Sequence, residues 1–264
     1  MSRSAPAHFD LDRLIAETSV QHVEYHPTLP STSTTALELL QPLLDVSPAL
    51  VLTSEQTAGR GRKGNVWWSS GGALTFTLVV NAGELPMAPE RRPMVSLAAG
   101  LAVRDALKTH APEQEFALKW PNDVLSGEQK ICGILVEQHS HGNRQGILVG
   151  IGVNVNNSLS GAPAEVAQRA TSLFNLQGKS FDLTSILIEI LQRLDFRISQ
   201  LNTHPRLALS EVNRHNMLTG RTVTLQLADQ TVTGVCIGID DEGQLVLQTE
   251  DKLHRCSSGI VLQW

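Results

Sequence analysis

Three stretches of the 264-residue chain carry side chains whose types and spacing suit chemistry. The first is GRGRKG, residues 59–64. Its Gly59, Gly61 and Gly64 let backbone amides approach an anion closely, and Arg60, Arg62 and Lys63 supply cationic donors for phosphate or carboxylate oxygens. A solvated basic turn is the competing reading. The string also fits GxGxxG, but VWW and a β-branched run follow where a dinucleotide fold opens a helix. Asn65 and Val66 likewise replace the Lys and Ser or Thr of a Walker A loop.

The second stretch is KWPNDVLSGEQKICGILVE, residues 119–137. Pro121 forces a non-helical exit from a strand, and Asn122 and Asp123 fall in the turn that follows. Lys130 places an ammonium at the mouth of the next strand, Asp123 is suited to a divalent cation across the turn, and Gly133 leaves space for a ligand or backbone to come close. Ordinary turn chemistry accounts for the same Pro, Asn and Asp. The third is Ser31, Thr32 and Ser33, just before a predicted helix start, where hydroxyls and free amides either bind polar ligand groups or simply cap the helix. There is no GxSxG elbow, HExxH helix or CxxC pair, so neither a nucleophile nor a zinc site is assigned.

The elements that must position these residues follow from periodicity. Thr35 and Glu38 have capping-box spacing and predict a short helix in STSTTALELL. Ala49 to Thr53 is β-prone, and Val66 to Asn81 reads as strand again, so the glycine loop joins two strands. Helical spacing runs from Pro93 to Lys108 and from Leu183 to Leu201, the second stopped by His204 and Pro205. Phe116 to Trp120, Ile131 to Gln138 and Gly146 to Val155 are strand-like, the last two joined by a hairpin at Gly142-Asn143, which predicts a largely antiparallel sheet. Phe9 to Tyr25 is weakly helical and is expected to pack as an edge. After Gly220 short alternating strands suggest a small appended barrel. Expected domains are 1–210 and 211–264.

Composition excludes several classes. With 41% hydrophobic and 18% charged residues the chain folds as one or two domains. Acids outnumber bases 26 to 21, for a net charge of −5, so the whole-molecule field does not attract nucleic acid or anionic lipid. Cys132, Cys236 and Cys256 are too few for a disulfide framework and fit a reducing cytoplasm. No apolar run reaches membrane-spanning length, and the first residues lack the apolar core of an export signal.

Taken in order, STS at 31–33, QTAGRGRKGNVW at 56–67, KWPND at 119–123, KICGIL at 130–135 and GIGVNVN at 150–156 resemble the biotin protein ligases. The resemblance implies an α+β fold: a mixed, largely antiparallel sheet packed by helices, like the catalytic domain of class II aminoacyl-tRNA synthetases, followed by an SH3-like C-terminal β-barrel. Some 30 residues precede the first motif, so the likeness is to members without an operator-binding winged helix. It implies that ATP and biotin give biotinyl-5′-adenylate, and that a lysine of a biotin carboxyl carrier protein, a subunit of acetyl-CoA carboxylase or another biotin-dependent carboxylase, then takes the biotinyl group. A lipoate or octanoate ligase or transferase on a related fold is the alternative, and the likeness allows for a homodimer. By the same resemblance Lys130, Arg60 and Arg62 are catalytic. Ser31, Thr32, Ser33, Gln56, Gly59, Arg60, Lys130 and Gly133 meet biotin. Arg60, Arg62, Trp67, Asn122, Lys130 and Asn154 meet ATP, and Asp123 meets Mg2+. Two positions depart from the family pattern: Ser33 stands where Asn is usual, and Asn65-Val66 where a basic pair is frequent.

Overall fold

The computed structural model describes residues 9–85 and 87–264. The first eight residues, where no export signal was read, lie outside them. In chain order the elements are α1 (Leu11–Glu17), β1 (His22–Leu29), α2 (Thr32–Glu38), α3 (Leu40–Asp45), β2 (Ala49–Gln56), β3 (Gly59–Arg60), β4 (Val66–Trp67), β5 (Leu74–Asn81), α4 (Val95–His110), β6 (Ala117–Lys119), β7 (Asp123–Ser126), β8 (Gln129–His141) and β9 (Arg144–Val153). They continue with α5 (Ala164–Arg169), α6 (Leu173–Gln177), α7 (Leu183–Thr203), α8 (Pro205–His215), β10 (Thr222–Gln226), β11 (Thr231–Ile239), β12 (Leu245–Gln248), β13 (Leu253–Cys256) and β14 (Ile260–Gln263).

Seven strands form the main sheet in the order β1-β2-β5-β9-β8-β7-β6. Only β1 and β2 run parallel; the other pairings are antiparallel. Strand alternation explains its two faces. In β9, Ile147, Val149, Ile151 and Val153 point into a large apolar core shared with α4 and α7. The residues between them, Gly146, Leu148, Gly150 and Gly152, face the other side. There the missing side chains admit close neighbours: a Cβ on Gly146 would lie 2.6 Å from a Leu40 methyl, and one on Gly150 would lie 2.6 Å from Ser33 Oγ. α2 and α3 therefore lie directly on the glycine-bearing face, over a second apolar cluster that includes Ala36, Leu40, Leu43 and Leu44.

Behind the first face, α4, α7 and α8 are tied by buried charges. Arg197 pairs with Asp105 at 2.5 Å and also with Glu211, and Arg104 pairs with Asp105 at 2.7 Å. The C-terminal strands form a five-stranded antiparallel sheet in the order β13-β12-β11-β10-β14. Its apolar inner face, with Val223, Leu225, Cys236 and Leu247, joins the main core.

Several expectations change. Helix α2 begins at Thr32, and Thr35, expected as its cap, is a buried interior residue. The Val66–Asn81 run is split, because the bend at Ser69–Gly72 separates β4 from β5. The long helix α7 does stop at His204, but a further helix not read from the sequence follows at once: Pro205 opens α8 at a first-turn position where its missing N–H costs nothing. Asp123 belongs to a strand, pairing with Lys119 and Gly133, rather than to the turn. No ladder joins β13 to β14 among the described residues, so the terminal sheet is open rather than a closed barrel. The weakly helical N-terminal segment does hold α1 and does pack at an edge, but its end enters β1, the last strand of the main sheet, which was not expected.

Removing one partner from a buried ion pair leaves an uncompensated charge. Asp105→Ala is therefore expected to destabilise the fold by about 3 kcal/mol in urea denaturation. A loss below about 0.5 kcal/mol would show that the network does not hold the helices together.

Candidate active site

A cavity of about 240 Å³ opens at the C-terminal edge of β6 and the start of β8, where the glycine-rich loop and the last strand meet. Arg60, Arg62, Lys63, Lys119 and Lys130 line it, against a single lining carboxylate, Asp123. Five cations around one acid reverse locally the sign of the chain's net charge. Such a concave cluster with low-dielectric walls concentrates field lines and draws anions in.

Four of the five cations are each held by a different device. Lys130 Nζ lies 2.6 Å from Asp123 Oδ1. The pair forms because β7 and β8 place Asp123 opposite Gly133, whose missing side chain leaves room for the lysine: a Cβ there would sit 3.0 Å from Lys130 Nζ. Arg60 pairs with Glu137 of β8 at 2.6 Å. Arg62 donates to Asn122 Oδ1 at 3.3 Å, and Asn122 Nδ2 donates to the Ile134 carbonyl at 2.8 Å, so the amide fixes the guanidinium against β8. Burial lowers the Arg62 pKa, with Asp123 opposing. Lys119 is pushed down to about 8 by burial, partly offset by Asp123, and its ammonium sits 3.4 Å from the centre of the Trp264 ring.

The arginine loop is a ribbon of its own: β3 and β4 pair only with each other, through Gly59 to Trp67 and Arg60 to Val66. At its tip Lys63 takes a left-handed conformation, φ 53°, unusual for a side-chain-bearing residue. The ribbon delivers Trp67 onto the sheet. A Cβ on Gly152 would lie 2.4 Å from the indole Cε2, and one on Gly133 would lie 3.1 Å from its Cζ3. The indole thus lies on two facing glycines, and its Nε1 is buried with no hydrogen-bond partner among the described residues.

Beyond the indole is a second, smaller hollow lined by Ser31, Thr32, Ser33, Gln56, Arg60 and Gly133 among others. Gln56 Oε1 accepts from the Thr32 backbone N–H at 2.7 Å and from the Thr32 hydroxyl at 3.2 Å. Ser31 sits at the N-cap of α2, yet its side chain makes no capping bond and is buried. With Trp67 in place this hollow measures about 20 Å³, room for little more than one water.

Twelve of the thirteen residues singled out from sequence thus cluster at two connected hollows or their rim: Ser31, Thr32, Ser33, Gln56, Gly59, Arg60, Arg62, Trp67, Asn122, Asp123, Lys130 and Gly133. Asn154 stands apart. It is buried and lines neither hollow, and its Oδ1 accepts from Asn157 Nδ2 at 3.0 Å. Sequence reasoning missed Lys119 as a cavity cation, Gly152 as the floor under Trp67, and Gly259, Ile260 and Val261 of the terminal sheet as part of the wall. Lys119 was legible from its place in KWPND, but nothing local marks the terminal strand.

Residues 25–154 match the model of the biotin/lipoate A/B protein ligase family, and residues 218–262 match that of the biotin protein ligase C-terminal domain. The bifunctional ligase/repressor BirA of Bacillus subtilis is 32% identical over 93% of this chain and 75% of its own. The biotin–acetyl-CoA-carboxylase ligase of Mycobacterium tuberculosis is 34% identical over 83% of this chain and 80% of its own. The chain belongs to the biotin protein ligase family. Among solved structures, the Aquifex aeolicus biotin protein ligase in complex with biotin and ATP superposes with a TM-score of 0.77 at 28% identity, covering 91% of this chain and 97% of that one. The open terminal sheet of this family member coincides with the second matched region.

If the indole rests on bare backbone, Gly152→Ala must lift it off, because no Cβ fits beneath the ring. The variant is expected to shift tryptophan emission to the red, and the shift should vanish in a Trp67→Phe background. Unchanged emission in Gly152→Ala would contradict the placement.

Proposed function

We propose that this chain activates biotin with ATP to biotinyl-5′-AMP and passes the biotinyl group to a lysine of a biotin carboxyl carrier protein. The observation that carries this reading is the single cavity in which five cations face one carboxylate, joined to a hollow lined by hydroxyls and a carboxamide. A lipoate or octanoate substrate is the weaker reading, since the relatives named above are biotin ligases. We also propose residues 1–210 as the catalytic unit and 211–264 as the terminal one, and the cytoplasm as the compartment, in keeping with three free cysteines. No helix among the described residues is long and apolar enough to cross a membrane.

In the first step the biotin carboxylate attacks the α-phosphorus and pyrophosphate leaves. In the second the carrier amine attacks the acyl carbon and AMP leaves. Both steps bring anionic oxygens together, and the chain offers no nucleophile of its own, so catalysis rests on positioning and on charge placed in advance. Lys130 bridges the biotin carboxyl and the α-phosphate, giving up its contact with Asp123 as these oxygens arrive. Arg60 and Arg62 take the phosphate oxygens, and their partners Glu137 and Asn122 keep them aimed across the cavity until then. Asn122 also reaches the nucleotide, whereas Asn154, buried and lining neither hollow, is given no contact with it.

Ser31, Thr32, Ser33 and Gln56 receive the ureido group, which needs both donors and acceptors in a confined slot. For that the Trp67 indole leaves the Gly133–Gly152 floor, where its Nε1 has no partner among the described residues, and turns to stack on adenine. The ribbon then covers the mixed anhydride and excludes water.

For magnesium, no group of three carboxylate, histidine or cysteine side chains occurs among the described residues. Asp123 alone fits the usual Mg2+ pattern, in which one protein carboxylate is completed by water and substrate phosphate oxygens. Bound there, the ion would neutralise phosphate charge.

Lys130→Ala is expected to slow biotin-dependent pyrophosphate release at least 100-fold while biotin affinity, measured by titration calorimetry, stays within about threefold. Release near the parent rate would refute the role assigned to Lys130.

A further inference from the structure

Beneath the hydroxyl-lined hollow lies a residue that lines neither hollow. Thr77 sits on β5, in the middle of the main sheet, fully buried between Val51 of β2 and Gly150 of β9. Its hydroxyl donates to Thr32 Oγ1 at 2.9 Å and lies 3.2 Å from Ser33 Oγ. A hydroxyl has a single proton. Since that of Thr77 goes to Thr32, Ser33 must donate to Thr77. The Thr32 proton in turn points to Gln56 Oε1.

The result is a one-way chain of four groups, from Ser33 through Thr77 and Thr32 to the Gln56 carbonyl. With the Thr32 backbone N–H also donating to Oε1, the Gln56 carboxamide is held with its oxygen inward, and Nε2 remains as its free donor. Gly150 makes the chain feasible: any Cβ there would press on Ser33 Oγ at 2.6 Å, so only glycine lets the start of α2 sink to Thr77.

We propose that Thr77 is a positioning residue for the biotin head group. It sets the proton direction of Thr32 and thereby the face that Gln56 turns to the ureido, without contacting ligand itself. This rests on the reading of the smaller hollow as the biotin slot. Without the Thr77 hydroxyl, Thr32 Oγ1 and the Ser33 proton lose a buried partner and both side chains become free to reorient, at a cost paid when biotin is captured.

The test is steady-state kinetics of Thr77→Val, which keeps the branched shape and removes only the hydroxyl, beside Thr77→Ser, which keeps the hydroxyl. Expected for Thr77→Val is a rise in KM for biotin of about tenfold, with KM for ATP and kcat at saturating biotin within twofold of the parent. Thr77→Ser should restore KM for biotin to within threefold. An unchanged biotin KM in Thr77→Val, a loss shared equally by kcat and the ATP KM, or a Thr77→Ser variant as impaired as Thr77→Val would each overturn the proposal. Biotin-dependent pyrophosphate release by the parent tests the underlying reading separately. A parent that releases none overturns both, and an active parent with any of those three variant outcomes overturns only the role of Thr77.

Discussion

Like charges repel, and the cavity crowds Arg60, Arg62, Lys63, Lys119 and Lys130 around one acid. Such a cluster is tolerable because four of its five members have a local restraint and because the fold brings an anion to them. Asp123 meets Lys130, Glu137 meets Arg60, Asn122 meets Arg62, and the Trp264 ring lies under Lys119. Each restraint comes from a different stretch of chain, so the cluster exists only when β6, β7 and β8, the ribbon and the terminal residues are all in place. The partial burial that lowers the pKa values of Arg62 and Lys119 is the same burial that makes their interaction with an arriving phosphate stronger than it would be in water.

The second requirement is space. Biotin and a nucleotide need a floor with few side chains, and the glycines of β9 supply it on one face while Ile147, Val149 and Ile151 build the core on the other. One strand thus does two jobs through its alternation of period two. The indole of Trp67 rests on that floor with an N–H that finds no partner among the described residues. The hydroxyls of α2 reach the same face from the opposite side because Gly150 allows it.

Much of this was legible beforehand because the chemistry sits in short contiguous strings. Arginines among glycines, and a lysine seven residues after Asp123, declare their charge locally, and strong periodicity marks α4, α7 and the β8–β9 hairpin. What escaped depends on distant partners. β1 carries a proline and half-exposed polar residues, and becomes a strand by pairing with β2. α8 was hidden because proline breaks a helix interior but suits a first turn, a distinction that turns on where α7 stops. Thr77 reads as an ordinary β-branched strand residue; only its pairing with Thr32, 45 residues away, gives its hydroxyl a task. The open terminal sheet differs from the expected barrel because closure depends on whether the outermost strands β13 and β14 meet, which no local pattern encodes.

The most direct measurement is a double-mutant cycle of Arg62→Ala and Lys130→Ala, read as the affinity for a non-hydrolysable biotinyl-adenylate analogue. Two cations that share one chamber and one phosphate should be coupled by at least about 1 kcal/mol. Strict additivity, within about 0.3 kcal/mol, would mean that they serve separate ligands and that the common cavity is not where the chemistry takes place.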